Sequence, residues 1–245
     1  MTVKESTLER YLGSLLRGDR LQCRSIIEEA LRTGVTAGAV YMDIIWPMMA
    51  EIEKLARRDR ITAVEEHLAT RINRTIVDQL QNKLPRSRPR DKKVAIVCAD
   101  EQIQELGAQM MADLFESDGW NVRLLGGGLT NDDILTFSND YAPDILMIYG
   151  ASPKQAPQIR SLIDTIKGVN AWPEMKIMVS GGLFNRAEGL WQEIGADLFA
   201  ANAVEALEVA LHPEKAAAED RTINRRRKSC RKTLRQEQMQ PVAAK

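Results

Sequence analysis

The hydrophobic period changes once along this chain, and that change limits the fold more than any other feature. Residues 5 to 83 place apolar side chains at three- and four-residue steps with no strand-like alternation, which is helical throughout. "YLGSLLRGD" and "LQCRSIIEEALRTG" read as two helices, the second stopping at Gly34. Thr36 caps a third, with Val40, Ile44, Met48, Ile52 and Leu55 as its buried stripe and Pro47 bending it or offsetting its start. Thr62 with Glu65 forms a capping box for a fourth, with Val64, Leu68, Ile72, Ile76 and Leu80 on one face. Four helices joined by short turns make a small bundle, residues 1–83.

Residues 84–92 hold two prolines and several basic residues with nothing to bury, the composition of a linker. Beyond it the apolar runs "VAIVCA", "NVRLL", "DILMIY", "KIMVS" and "ADLFAA" alternate with helical stretches starting near Gln104, Asn131, Lys154, Asn185 and Ala203. This alternation predicts an α/β unit over residues 93–212: a doubly wound, five-stranded parallel sheet of flavodoxin-like type, behind the N-terminal four-helix bundle. Its binding edge is the set of loops at the strand C-termini, "ADEQIQELG", "GGGLTND", "YGASPKQ" and "SGGLFNRAEG".

A chain of 245 residues is near the length at which one domain becomes two. No run of 18 apolar residues and no signal-peptide pattern is present, so the expected location is the cytoplasm, with no membrane contact. Cys23, Cys98 and Cys230 have no C-x-x-C spacing and read as thiols. The formal net charge of zero hides an asymmetry: residues 221–245 hold nine Lys or Arg against one acid, leaving 25 basic and 33 acidic residues before them. The tail, 213–245, is a basic segment read as flexible. Arg221, Arg225, Arg226, Arg227, Lys228, Arg231, Lys232 and Arg235 suit nucleic acid or an acidic protein surface, and equally a solvated terminus.

No nucleophile elbow, zinc-protease motif, P-loop or dinucleotide fingerprint occurs, and the only histidines are His67 and His212. Asp100 and Glu101 follow the first strand as in a phosphoacceptor receiver, but the third strand ends in Tyr149-Gly150 where the acceptor aspartate belongs. Gly126 to Gly128 and Gly181-Gly182 suit a close phosphate or simply tight turns. Met48, Met49, Met110 and Met111 read as core fillers, and Trp120 and Trp172 as packing residues near strand starts.

"QELGAQMMADLFESDGWNV", "APDILMIYGASP", "SGGLFN", "IGADLFAANAVEAL" and "ITAVEEHLAT" together resemble the cobalamin-binding modules of methionine synthase, corrinoid methyl carriers and light-sensing cobalamin-dependent regulators, over about residues 8–212. The resemblance implies a cobalamin held between cap and sheet by Glu66, His67, Gln102, Gln104, Gly107, Tyr149, Ser180, Gly181 and Gly182. In the family, a D-x-H-x-x-G loop ligates cobalt from below through its histidine, which its acid orients. Counting back from Gly107, those positions hold Gln104 and Gln102, and an amide is no substitute for imidazole on a transition metal. The family's small serine beside the displaced base aligns with Tyr149, and its cap tryptophan with Ala56, ten residues beyond Trp46.

Three readings follow: a corrinoid bound without the lower histidine, with Glu66 and His67 on its upper side and His67 the only candidate metal ligand; another tetrapyrrole; or no cofactor and a protein-interaction role. His67, beside Leu68, also reads as an ordinary hydrogen-bonded interface residue. The expected role is a non-catalytic sensor or regulator working through a protein partner, homo-oligomers included; the alternative is a corrinoid methyl carrier.

Overall fold

The structure is a computed structural model describing residues 5–99 and 105–213. Gln102, Gln104, Asp100, Glu101 and the basic tail lie outside the described residues. The bundle is built from α1 (Glu5–Leu16), α2 (Arg20–Arg32), α3 (Ala37–Val40), α4 (Trp46–Arg57) and α5 (Ala63–Gln81). Asp19, Thr36 and Thr62 cap α2, α3 and α5 through their side chains, and Thr62 and Glu65 close a reciprocal capping box.

The predicted third helix is two helices joined by a π-helical turn, Tyr41–Ile45, in which the Trp46 amide reaches the Tyr41 carbonyl. Pro47 has no amide for an α-helical bond to Asp43, and the wider turn accommodates it. The extra residue in that turn lets Tyr41 and Ile45 join Val40 and Ile44 in the core, all 0% exposed. The predicted stripe of α5 also begins too early. Val64 and Leu68 are exposed, at 67% and 40%, because the 19-residue α5 outruns the 12- and 13-residue helices it packs on. Leu68 rests against the Gly18 turn instead.

The second part is a parallel sheet in the order β2-β1-β3-β4-β5: β1 (Lys93–Cys98), β2 (Asn121–Gly126), β3 (Ile145–Tyr149), β4 (Lys176–Ser180) and β5 (Leu198–Ala200). Its helices are α6 (Leu106–Ser117), α7 (Asn131–Tyr141), α8 (Ala156–Val169), the short α9 (Gly182–Arg186) and α10 (Leu190–Glu193), and α11 (Ala203–Leu211). Strand residues alternate between two cores: Val94, Ile96 and Met147 face α6 and α11, and Ala95, Val97, Leu146 and Ile148 face α8. The strand order reverses between β1 and β3, which opens a crevice at their C-terminal ends.

The linker is strapped down. Leu84 is buried in the bundle core, Ser87 and Arg90 amides donate to Ser117 and Gly119 carbonyls, and Gly119 lies so close that a Cβ there would meet the Arg88 carbonyl oxygen at 2.2 Å.

Helix α6 joins the two parts. Leu106 and Met110 belong to the bundle core, whereas Ala108, Met111, Ala112 and Phe115 belong to the sheet core. Asp113, 4% exposed, lies 2.8 Å from the Tyr41 hydroxyl and accepts from Gln81 at 2.9 Å. The same hydroxyl lies 2.9 Å from the Val77 carbonyl oxygen. One phenolic proton serves one acceptor at a time: Tyr41 donates to the ionised Asp113 carboxylate, whereas with Asp113 protonated the hydroxyl is released to donate to Val77 and accepts from the carboxyl in turn. Burial accordingly raises Asp113 from 3.8 to about 6; the Tyr41 and Gln81 hydrogen bonds oppose this, and the Glu116 and Asp78 charges add to it.

Because the folded carboxyl holds its proton more tightly than the unfolded one, its effect on stability is neutral below the unfolded value of 3.8. It becomes a growing cost as pH rises towards about 6, and is constant above that. Asn at this position reproduces the protonated pattern. Asp113→Asn should therefore be more stable than the wild type at about pH 7.5 by roughly 1–2 kcal/mol, allowing for partial screening, with the gap closing near pH 4; urea titrations at both pH values measure it.

Candidate functional site

A cavity of about 120 Å³ lies between the bundle and the C-terminal edge of the sheet. Helices α4 and α5 supply Trp46, Met49, Ile52, Glu53, Glu66, Thr70 and Asn73; the sheet side supplies Leu106, Tyr149, Ala151, Gly182 and Asn185. The slot therefore sits at the crevice that the strand order creates, and three of the four loops singled out in the sequence border it. The fourth, "GGGLTND", does not line it; its Gly127 amide donates to Glu105 at 2.9 Å, and Glu105 in turn lies 3.9 Å from Arg74 of α5.

Tyr149 ends β3 and lines the slot with 7% of its surface exposed; burial pushes its hydroxyl well above the usual phenol range. Its ring rests on the first turn of α6, where a Cβ at Gly107 would meet the hydroxyl oxygen at 2.1 Å and Cζ at 2.5 Å. Gly107 is thus required by the ring beside it. Ser180 is fully buried and donates to the Ala200 carbonyl at 2.7 Å, tying β4 to β5 instead of facing the slot. Gly181 has φ +106° and lies against Gly150, where a Cβ would meet the carbonyl oxygen at 2.3 Å. A Cβ on Gly182 would meet Arg186 and Glu53 at 2.6 and 2.9 Å. Across that glycine Arg186 of α9 donates to Glu53 of α4, an ion pair that clasps the bundle to the sheet edge, with Arg57 3.6 Å from the same carboxylate.

On the cap side Glu66 lines the slot, and its carboxylate has no hydrogen-bond partner among the described residues. His67 is exposed and does not line the slot, unlike the expected place beside Glu66 on the upper side of a ring: consecutive residues on a helix point about 100° apart. Sequence reasoning missed Trp46, which lines the slot where Ala56 was aligned with the covering aromatic; the π-turn before it resets the face that α4 presents. It also missed Asn73, which is 0% exposed. Its Oδ1 accepts from the Tyr11 hydroxyl at 2.8 Å, and its Nδ2 has no partner among the described residues. A buried polar residue inside the apolar period of α5 was the available signal. Met110 and Met111 are fully buried fillers as expected, whereas Met49 borders the slot.

A helical cap closed over the crevice of a doubly wound sheet makes a two-part module with a slot between its parts. Residues 7–81 and 92–211 each match a family model described as a B12 binding domain, and the chain belongs to this B12-binding family. Among solved structures, the monomethylamine corrinoid protein of Methanosarcina barkeri is similar in fold, with a TM-score of 0.74 at 16% identity, covering 86% of this chain and 99% of that one. A cobalamin-binding protein from Desulfitobacterium hafniense DCB-2 aligns at a TM-score of 0.46 and 16% identity, over 84% and 97% of the two chains. A search of curated proteins gives no significant match.

The donor set can be tested against a corrinoid. Trp46, Met49, Ile52 and Leu106 offer apolar surface to a flat ring, and the orphaned Asn73 amide suits a carbonyl acceptor on its periphery. These features fit. Histidine ligation from below does not, since His67 is outside the slot and His212 ends α11. At about 120 Å³ the slot is also well under the roughly 300–1,000 Å³ of ordinary ligand sites, so a macrocycle needs more room than the slot has as it stands.

In a helix interior, Gly→Ala normally gains up to about 1 kcal/mol. Gly107→Ala should instead cost roughly 1–3 kcal/mol, and the penalty should largely vanish in a Tyr149→Ala background, as a double-mutant cycle of thermal or urea unfolding will measure.

Proposed function

We propose that this chain is a corrinoid-binding sensor or regulatory module, holding the ring in the slot between α4, α5 and the C-terminal edge of the sheet and signalling through a protein partner. The observation that carries the reading is the slot itself. It has apolar walls, an orphaned amide at Asn73, and a glycine-lined rim clasped by Glu53 and Arg186, all at the crevice of a chain that belongs to the B12-binding family. A corrinoid would supply a cobalt centre that can hold and release an axial group. The chain's own residues would orient it: Trp46 and Met49 against its cap-side face, Asn73 and Glu66 at its polar periphery, Tyr149 beneath, and Gly182 where the backbone must come close.

The regulatory reading is favoured by the lower-ligand position. Gln104 and Gln102 stand where the family's loop carries its histidine and acid, and a carrier that cycles cobalt relies on that histidine to tune the metal. The clasp supplies the output: ligand that enters by parting Glu53 from Arg186 changes how cap and sheet meet, and with it the surface shown to a partner. The basic residues between 221 and 235 would provide contact with a polyanionic partner. A second reading, a methyl carrier, is favoured by the fold shared with the monomethylamine corrinoid protein.

Incubation with hydroxo- and methylcorrinoids followed by desalting should leave corrin absorption on the protein, together with a change in elution volume or in partner capture. Bound corrinoid with neither change, but with methyl transfer to a thiol, would favour the carrier. Colourless protein in every case would remove both.

A further inference from the structure

Among the described residues, Tyr149 is the aromatic ring on the sheet-side wall of the slot. Cys98, Tyr149 and Ser180 are register partners at the C-terminal ends of β1, β3 and β4. Ser180 is committed to Ala200, which leaves Tyr149 as the member of that row that lines the slot. Its ring has little room to withdraw. On one side lies the Gly107 backbone, at a separation that does not tolerate even a Cβ. The turn that follows Tyr149 is equally tight: a Cβ on Gly150 would meet Ile159 at 2.8 Å, and Gly181 abuts the Gly150 carbonyl. The opposite wall is formed by Trp46, Met49, Glu53 and Thr70 of the cap. A planar macrocycle between these walls would turn one face to the cap and the other to Tyr149.

Resting on the corrinoid reading above, we propose that Tyr149 makes the slot selective for corrinoids whose sheet-side face is bare, so that the protein prefers cobinamide-type rings without a nucleotide tail to complete cobalamin. Cobalamin carries a bulky nucleotide on one face of its ring. Facing the sheet, that group meets the Tyr149 ring; facing the cap, it meets the Trp46 and Met49 wall. No histidine lines the slot to compensate a displaced base with a new bond to cobalt. Cobinamide keeps the ring and its peripheral amides, so it retains the apolar contacts and an acceptor for Asn73 while avoiding the steric conflict.

The test is equilibrium dialysis of the full-length protein against aquacobinamide and, separately, aquacobalamin, with bound corrinoid read by its absorption spectrum. The wild type should hold cobinamide roughly ten-fold or more tightly than cobalamin. Tyr149→Phe keeps the ring and should keep that preference, whereas Tyr149→Ala should reduce it to within about three-fold by gaining affinity for cobalamin. The wild-type and Phe comparisons stand even where the Ala variant does not fold. Equal affinity of the wild type for both ligands overturns the selectivity and leaves the corrinoid reading in place. Retention of neither overturns both.

Discussion

Two hydrophobic cores meet on a single helix. Leu106 and Met110 of α6 fill the bundle while Met111 and Phe115 fill the sheet, and all four are 2% exposed or less. At about 1.5–3 kcal/mol for each large apolar side chain removed from water, α6 ties the two halves together, and Met42 and Trp46 of the cap add contact with the sheet core. That helix follows β1 directly and begins at the crevice, so the element that holds cap to sheet also forms the floor of the slot through Leu106. The Tyr41–Asp113–Gln81 group is the polar counterpart. It satisfies the buried carboxyl that α6 carries into the joint, at the expense of a proton affinity unusual for an aspartate.

Much of this architecture was legible in the sequence because period and caps are local properties. The change of period near residue 93, the Thr36 and Thr62 caps and the β-branched runs report on backbone choices made within a few residues. The limits were also physical. Pro47 announced a disturbance, but not that a π-turn would absorb it and bring Trp46 to the slot. The exposure of Val64 and Leu68 depends on the lengths of the neighbouring helices, which no residue on α5 encodes. A helical wheel drawn on α5 alone cannot assign Glu66 to the slot and His67 to solvent, because the slot exists only once the sheet is docked.

The site is correspondingly composite. Glu53 and Arg186 are 133 positions apart, and Gly107 of α6 matters through Tyr149 at the end of β3. Of the glycines that read in the sequence as phosphate cradles or turns, Gly126 and Gly128 take the positive φ of turns, +74° and +78°, and the second pair serves close approach. Gly181 lies on Gly150, and Gly182 leaves room for the ion pair above it. Polar groups in the slot are few and specific, an amide and a carboxylate without partners among the described residues, set in surface that is otherwise mostly apolar.

The shared helix also limits how such a protein can be rearranged by recombination. A bundle cut out at the end of α5 leaves behind Leu106, Met110 and Asp113, the groups that complete its core and its polar joint. A sheet taken without the bundle carries those same groups into water. A portable piece of this cap that keeps those groups extends through the linker and β1 to Ser117, with α5 and α6 held together.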